Sequence, residues 1–279
     1  MLDKSQLPYL VQLLDDESPD IRDQIVRELL SYGPDLEAEL LRLEDVLPQR
    51  QLSAVRSVLS SHRDILGLRE AWLRWPTMKD DGERLERGFQ LLAQIQYGWT
   101  PPVRLQDLLD ELASDFVASG MAGDAIGLAR FLFTRRLRGN TEDYYDPLNS
   151  NLIHVLQTGR GLPISLASIY ILVSRRVGLD VVGCSVPGHF LARGRLQGRE
   201  VYFDCFNRGR ILNSAEVEEL RSSLRPQLQH HLTEPASAPA ILMRVLHNLI
   251  NAYTLAEDSE KIDLVKGLLR DLQGVTSTS

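Results

Sequence analysis

Histidine is the side chain whose proton moves near neutral pH, so the chemistry of this chain is sought there first. The sequence has six. His62, His154, His230, His231 and His247 sit in helical or loop contexts with no acidic partner at a telling spacing. His189 differs. It follows Pro187 and Gly188 at the start of a β-like run, and fifteen residues later Asp204 closes the apolar stretch Val201, Tyr202, Phe203. A hairpin of that length places His189 beside Asp204. The aspartate would then fix the imidazole tautomer and leave the other ring nitrogen as a base. The same pair also reads as a buried ion pair that orders a sheet. A nucleophile needs a place that stabilises an anion, and a helix N-terminus supplies one. The apolar helix opening at GRGLPISLA offers Ser165 as the hydroxyl of its first turn. Ser165 equally suits a capping or buried hydroxyl. The two cysteines are Cys184 and Cys205. Cys205 adjoins Asp204, so on a strand it faces the other side. Both cysteines read as small core residues.

These residues need elements to hold them. GLPISLASIYILVSRRVG reads as one almost wholly apolar helix with Pro163 in its first turn, where proline is favoured. DVVGCSVPG, HFLARGRL and EVYFDCF follow as β-like runs, the last two separated by the polar turn QGR. A buried helix followed by an antiparallel sheet is an α+β arrangement. Ahead of it, GERLERGFQLLAQIQYG, VRLQDLLDELASDFVASG and DAIGLARFLFTRRLRG read as helices. Arg135, Arg136 and Arg138 are read as completing the end of the third, where cations suit the dipole. NLIHVLQTG is a short helix after the turn-rich NTEDYYDPLNS.

The chain ends are helical in pattern. Leu7, Leu10, Leu13 and Leu14 form one stripe, and Ile21, Ile25, Val26 and Leu29 a second, with Ser18 as N-cap and Pro19 at the first helical position. This pairing resembles a HEAT-type repeat over residues 1–62. Residues 63–81 read as a connector whose Trp72 and Trp75 pack at a junction. Residues 82–213 form the core, and 214–279 a helical region closed by two amphipathic helices.

Composition bounds the function. Thirty-one basic against 38 acidic residues leave a net charge of −7, which argues against a nucleic-acid partner. No apolar run is long enough for a membrane span, and the first ten residues lack a signal core, so a cytoplasmic protein is expected. Two cysteines make neither a disulfide framework nor a zinc site. No metal-ligand spacing, phosphate loop or nucleotide fingerprint appears, so no metal and no cofactor are implied.

DYYDPLNSNLIHVLQTGRGLPISLASIYILVSRRVGL, then PGHFLAR, then FDCFNRGRIL, resemble the SirB1 family, which carries a transglutaminase-like core related to papain-like cysteine proteases. The C-terminal pair from MRVLHNLINAY resembles the tetratricopeptide-like tail of such proteins. The resemblance implies a cysteine opening the central helix, a histidine opening the next strand and an aspartate on the strand after. His189 matches the histidine and Asp204 the aspartate. Counting back from Gly178, which resembles the glycine closing the helix, the cysteine position falls at Pro163. Without a thiolate, papain-like acyl transfer has no covalent intermediate. The resemblance therefore implies a degenerate, non-catalytic protein that binds a protein or peptide. The alternative is an amide or ester hydrolase, or an acyltransferase, using Ser165, His189 and Asp204. A pure scaffold, its cleft filled by its own side chains, is a third reading. Asn149, Arg160, Gly161, Pro163 and Arg193 match family positions and are expected to line the cleft or hold its loops. Turn formation and salt bridging explain them as well. Oligomeric state, partner and pathway are not legible.

Overall fold

The computed structural model describes residues 6–14, 19–32, 36–43, 47–97, 101, 103–134 and 136–276. The chain divides into two units, Met1–Arg69 and Glu70–Ser279. In the first, α1 (Leu7–Leu13), α2 (Pro19–Ser31), α3 (Leu36–Arg42) and the start of α4 (Gln49–Arg74) supply an apolar core. Leu7, Leu10, Val11, Leu14, Ile25, Leu29, Leu40, Leu52 and Val55 fill it. Two residues of the expected stripes fall outside. Leu13 and Ile21 are exposed at 49% and 43%. The buried set 7, 10, 11, 14 follows the helical spacing of three and four, and Leu13 lies off that face. Ser18 lies outside the described residues.

Residues 63–81 contain the last turns of α4, a 3-10 turn at Trp75–Thr77 and the start of α5 (Asp81–Gln96). Trp72 and Trp75 are fully buried edge to face, 5.6 Å apart. The Trp72 indole donates to Leu268 O at 3.0 Å, tying this corner to the C-terminal helix.

The second unit builds its sheet around one helix. α6 (Leu105–Ala118), α7 (Ala125–Phe133) and α8 (Leu152–Thr158) precede α9 (Pro163–Arg176). Pro163 stands at the first helical position, where its missing N–H costs nothing. Every residue from Ile164 to Ser174 is buried. Each large side chain among them contributes about 1.5–3 kcal/mol by leaving water. Gly178, at φ 73°, closes the helix while Leu179 N donates to Ser174 O at 2.8 Å. Tyr170 packs edge to face on Phe133 and Phe203, and its hydroxyl donates to Ala125 O.

The strands β3 (Val181–Cys184), β4 (Leu191–Leu196), β5 (Arg199–Asp204) and β6 (Arg210–Ile211) form one antiparallel sheet in sequence order. β4 and β5 make a hairpin through Gln197 and Gly198, both at positive φ, the backbone of a tight primed turn. A second, parallel pairing was not legible. β1 (Arg138–Gly139) pairs with β2 (Arg160–Gly161), immediately before α9.

The arginines after α7 need a different explanation from the one read off the sequence. α7 ends at Phe133, so Arg136 and Arg138 lie beyond its last turn. Arg136 pairs with Asp115 at 2.9 Å and covers the Phe131 ring, while Arg138 belongs to β1; Arg135 lies outside the described residues.

α10 (Ser214–Ser223), capped by an Asn213–Glu216 capping box, leads to α11 (His230–Thr233), α12 (Ala238–Leu255) and α13 (Ser259–Thr276). α12 packs on α13, on α5 and on the 3-10 turn Pro147–Ser150. The mixture of helices with an antiparallel four-stranded sheet is α+β.

Candidate functional site

The opening of α9 is set by Asn149. Its side chain is fully buried. The amide oxygen accepts from Asn140 Nδ2 at 2.9 Å, and the amide nitrogen donates to the carbonyls of Asp143 (2.6 Å) and Tyr144 (3.2 Å). Its backbone carbonyl accepts from Leu162 N and from the Ser165 hydroxyl at 2.7 Å. One residue thus ties the 140–144 loop to the first turn of α9. Tyr144, held on that loop, packs against Tyr145 and Phe206.

Ser165 is therefore spoken for. It is fully buried and bonded to Asn149, and among the described residues no hydrogen bond joins it to His189. The helical repeat explains this. Two residues past Pro163 is a rotation of about 200°, so when Pro163 is partly exposed Ser165 faces inward.

His189 sits just outside the sheet. β4 begins at Leu191, and Leu191 is the last residue paired with β3. The pairing of Ala192 with Phe203 places Leu191, not His189, next to Asp204 in the register. His189 is exposed in a turn, its N–H donating to Val186 O at 3.0 Å after Gly188 at φ 78°. Both Asp204 oxygens are taken by Asn207, from its backbone N–H at 3.1 Å and its amide at 2.7 Å. No hydrogen bond joins His189 and Asp204 among the described residues. The strand starts two residues later than the sequence pattern suggested, and Asn207 supplies a nearer partner for the carboxylate.

Arg244 was not singled out by sequence reasoning. It reaches from α12 to Ser185 Oγ (3.1 Å) and Val186 O (2.8 Å) and lies 5.6 Å above the Phe190 ring. It holds the turn that carries His189. Burial lowers its pKa, opposed by nearby Tyr144. The usable signal was a single cation inside the apolar run ILMRVLHNLI.

Of the remaining expected positions, Arg160 and Gly161 adjoin the α9 opening and Arg193 lies on the β4–β5 hairpin. Arg193 pairs with Glu200 and donates to Thr233 O at 2.8 Å, binding the hairpin to α11. Arg160 pairs with Glu142. Gly161 is required by packing, since a Cβ there would meet Val155 at 2.8 Å. Cys184 and Cys205 are free and fully buried. Burial pushes the Cys184 thiol up to about 11 and the Cys205 thiol well above its ordinary value. Neither suits a nucleophile. A cavity of about 490 Å³ lies at the other end of α9, bordered by Ile171, Arg175 and Gly178. Among the described residues no cluster of three or more His, Cys, Asp or Glu is placed to hold a metal ion, and no helix is long and apolar enough to cross a membrane.

The sequence of this helix-and-sheet region matches a known family. Residues 103–247 match the transglutaminase-like superfamily. That is more than half of the chain, and the chain belongs to this superfamily. Within the curated proteins it is similar to a UPF0162 protein of Xylella fastidiosa, 41% identical over 134 residues, which cover 44% of this chain and 47% of that protein. A UPF0162 protein of Pseudomonas aeruginosa is 28% identical over 179 residues, covering 61% of this chain and 65% of that one. F-box only protein 21 of Mus musculus is 30% identical over 145 residues, covering 49% of this chain and 22% of that protein. The chain spans about half the length of the first of these relatives. No solved structure matches.

Proposed function

We propose that this chain is a degenerate transglutaminase-like protein that binds a protein or peptide partner instead of turning over an amide bond. The observation that carries the reading is the first turn of α9. Pro163 is its first residue, the position to which the resemblance assigns the thiol, while its one hydroxyl, Ser165, is buried against Asn149 O. A proline side chain is hydrocarbon and offers no nucleophile for acyl transfer, and a locked, buried hydroxyl meets no base. The partly exposed Pro163 and the Tyr144–Phe206 stack remain as a surface for recognition. The reading includes kinship with SirB1-type proteins, HEAT-like helix pairs over 1–62 and a tetratricopeptide-like α12–α13 hairpin. A cytoplasmic place is inferred with it, on two free cysteines.

The test pairs turnover with binding. Full-length protein is incubated with glutamine peptides and a primary amine, and ammonia release and amine incorporation are followed. In parallel, peptides selected by display on the full-length chain are titrated against wild type and His189→Ala. The expected result is no turnover above buffer, with at least one peptide binding wild type and variant alike. Turnover that disappears in both His189→Ala and Ser165→Ala would overturn the reading and restore the Ser165, His189, Asp204 hydrolase. Failure to select any peptide would also count against it.

A further inference from the structure

β1, β2 and the turn between β5 and β6 border an open cavity of about 360 Å³. Arg138, Arg160 and Arg208 line it, with Glu142 as its one carboxylate. In a chain of net charge −7 this is a concentrated positive site. The arginines are brought together by different means. Arg138 and Arg160 are register partners on the parallel β1–β2 pair, so their side chains leave on the same face. Like charges placed opposite each other on a sheet repel. Arg160 is paired with Glu142 at 2.5 Å. Neither Arg138 nor Arg208 donates a side-chain hydrogen bond among the described residues. Arg208 also holds a left-handed backbone, φ 56°, where asparagine or glycine is preferred. The turn itself does not call for arginine there. The far wall is Phe206, whose ring lies so close to Gly139 that a Cβ would meet it at 2.6 Å.

We propose that this cavity binds a small phosphomonoester, its dianionic phosphate held by Arg138, Arg160 and Arg208 and its organic body against Phe206. Planar guanidinium forks match phosphate oxygens two at a time, which an ammonium cannot do. At roughly 30 Å³ per water-sized group, the volume holds about a dozen, enough for a phosphate and a small ring. An anion there also relieves the Arg138–Arg160 repulsion. Phe206 is shared with the recognition surface proposed above, but neither Pro163 nor His189 lines the cavity, so phosphate binding and peptide binding are read by separate measurements.

The test is calorimetric titration of the full chain with phenyl phosphate at low ionic strength, with inorganic phosphate and succinate as separate arms. Saturable one-to-one binding is expected, tightest for phenyl phosphate and weakened by added salt. The double variant Arg138→Gln, Arg208→Gln removes two exposed side chains without hydrogen bonds, so folding is not at stake; circular dichroism checks this. It is expected to weaken binding by at least about tenfold. Glu142→Gln removes the competing negative charge and is expected to tighten binding severalfold. Three results would overturn the proposal. One is the absence of saturable binding at millimolar phenyl phosphate. Another is unchanged affinity in the double variant. The third is succinate binding as tightly as phenyl phosphate, which would make the site a carboxylate site.

Discussion

Asn149→Ala tests whether the α9 opening is held as described. The substitution deletes three side-chain hydrogen bonds, to Asn140 Nδ2, Asp143 O and Tyr144 O. The two bonds to the Asn149 backbone carbonyl survive. Asn140 is itself buried, so its Nδ2 is left without an acceptor and without water. A buried orphan of that kind costs about 1–3 kcal/mol. The two carbonyls belong to exposed residues, where water replaces the amide and each lost bond costs about 0.5–1.5 kcal/mol. The whole effect is therefore about 2–6 kcal/mol, a large share of the about 5–15 kcal/mol that holds a typical protein together. Urea unfolding followed by tryptophan fluorescence reads it, since Trp72 and Trp75 are both buried in the same unit as Asn149. Coincident fluorescence and circular dichroism transitions would license a two-state free energy. Asn149→Asp keeps an acceptor for Asn140 but sets a buried carboxylate against the carbonyls of Asp143 and Tyr144, so its cost should be at least that of alanine. Faster amide exchange at residues 143–145 should accompany both. A folded Asn149→Ala variant losing less than about 0.5 kcal/mol would refute the hub, because that is the ordinary scatter of surface substitutions.

The other structural expectations are narrower. Burial, only partly offset by Arg193, holds the Cys184 thiol at about 11, and burial with the nearby Glu200 holds the Tyr202 hydroxyl at about 12. Folded-state values above the ordinary ones mean that the stability is fully present below about pH 9 and is lost as pH rises toward 11, at about 1.4 kcal/mol per pH unit for one group. Urea midpoints across that range should fall, less steeply in Cys184→Ala; flat midpoints would contradict the burial. Gly139→Ala forces a methyl into the Phe206 ring at 2.6 Å, with an overpacking cost of about 1–3 kcal/mol that a thermal melt will show. Phe206→Leu should recover part of that loss, and a Gly139→Ala protein as stable as wild type would mean that the ring has room to move.

What could be read from the sequence was whatever local backbone chemistry specifies. Pro163, the apolar run behind it and Gly178 announce α9, because proline, periodic burial and a left-handed glycine each act within one or two turns. Gln197 and Gly198 announce the β4–β5 hairpin for the same reason. The stretches that carry the family resemblance are likewise contiguous, so the expectation that Pro163 takes the thiol position needed no coordinates. What the tertiary structure alone decided involves residues far apart in the chain. The β1–β2 pairing joins two-residue strands too short to leave a pattern. Whether Ser165 meets His189 or Asn149 depends on which face of α9 the 3-10 turn covers. Whether Asp204 meets His189 depends on a two-residue difference in where β4 begins, and on Asn207 competing for the carboxylate. Arg138, Arg160 and Arg208 are each unremarkable in sequence and converge only because the parallel β1–β2 pair is hydrogen-bonded, Gly139 N to Phe206 O, to the left-handed turn after β5. Local backbone preferences are written residue by residue, whereas side-chain meetings depend on packing between distant segments.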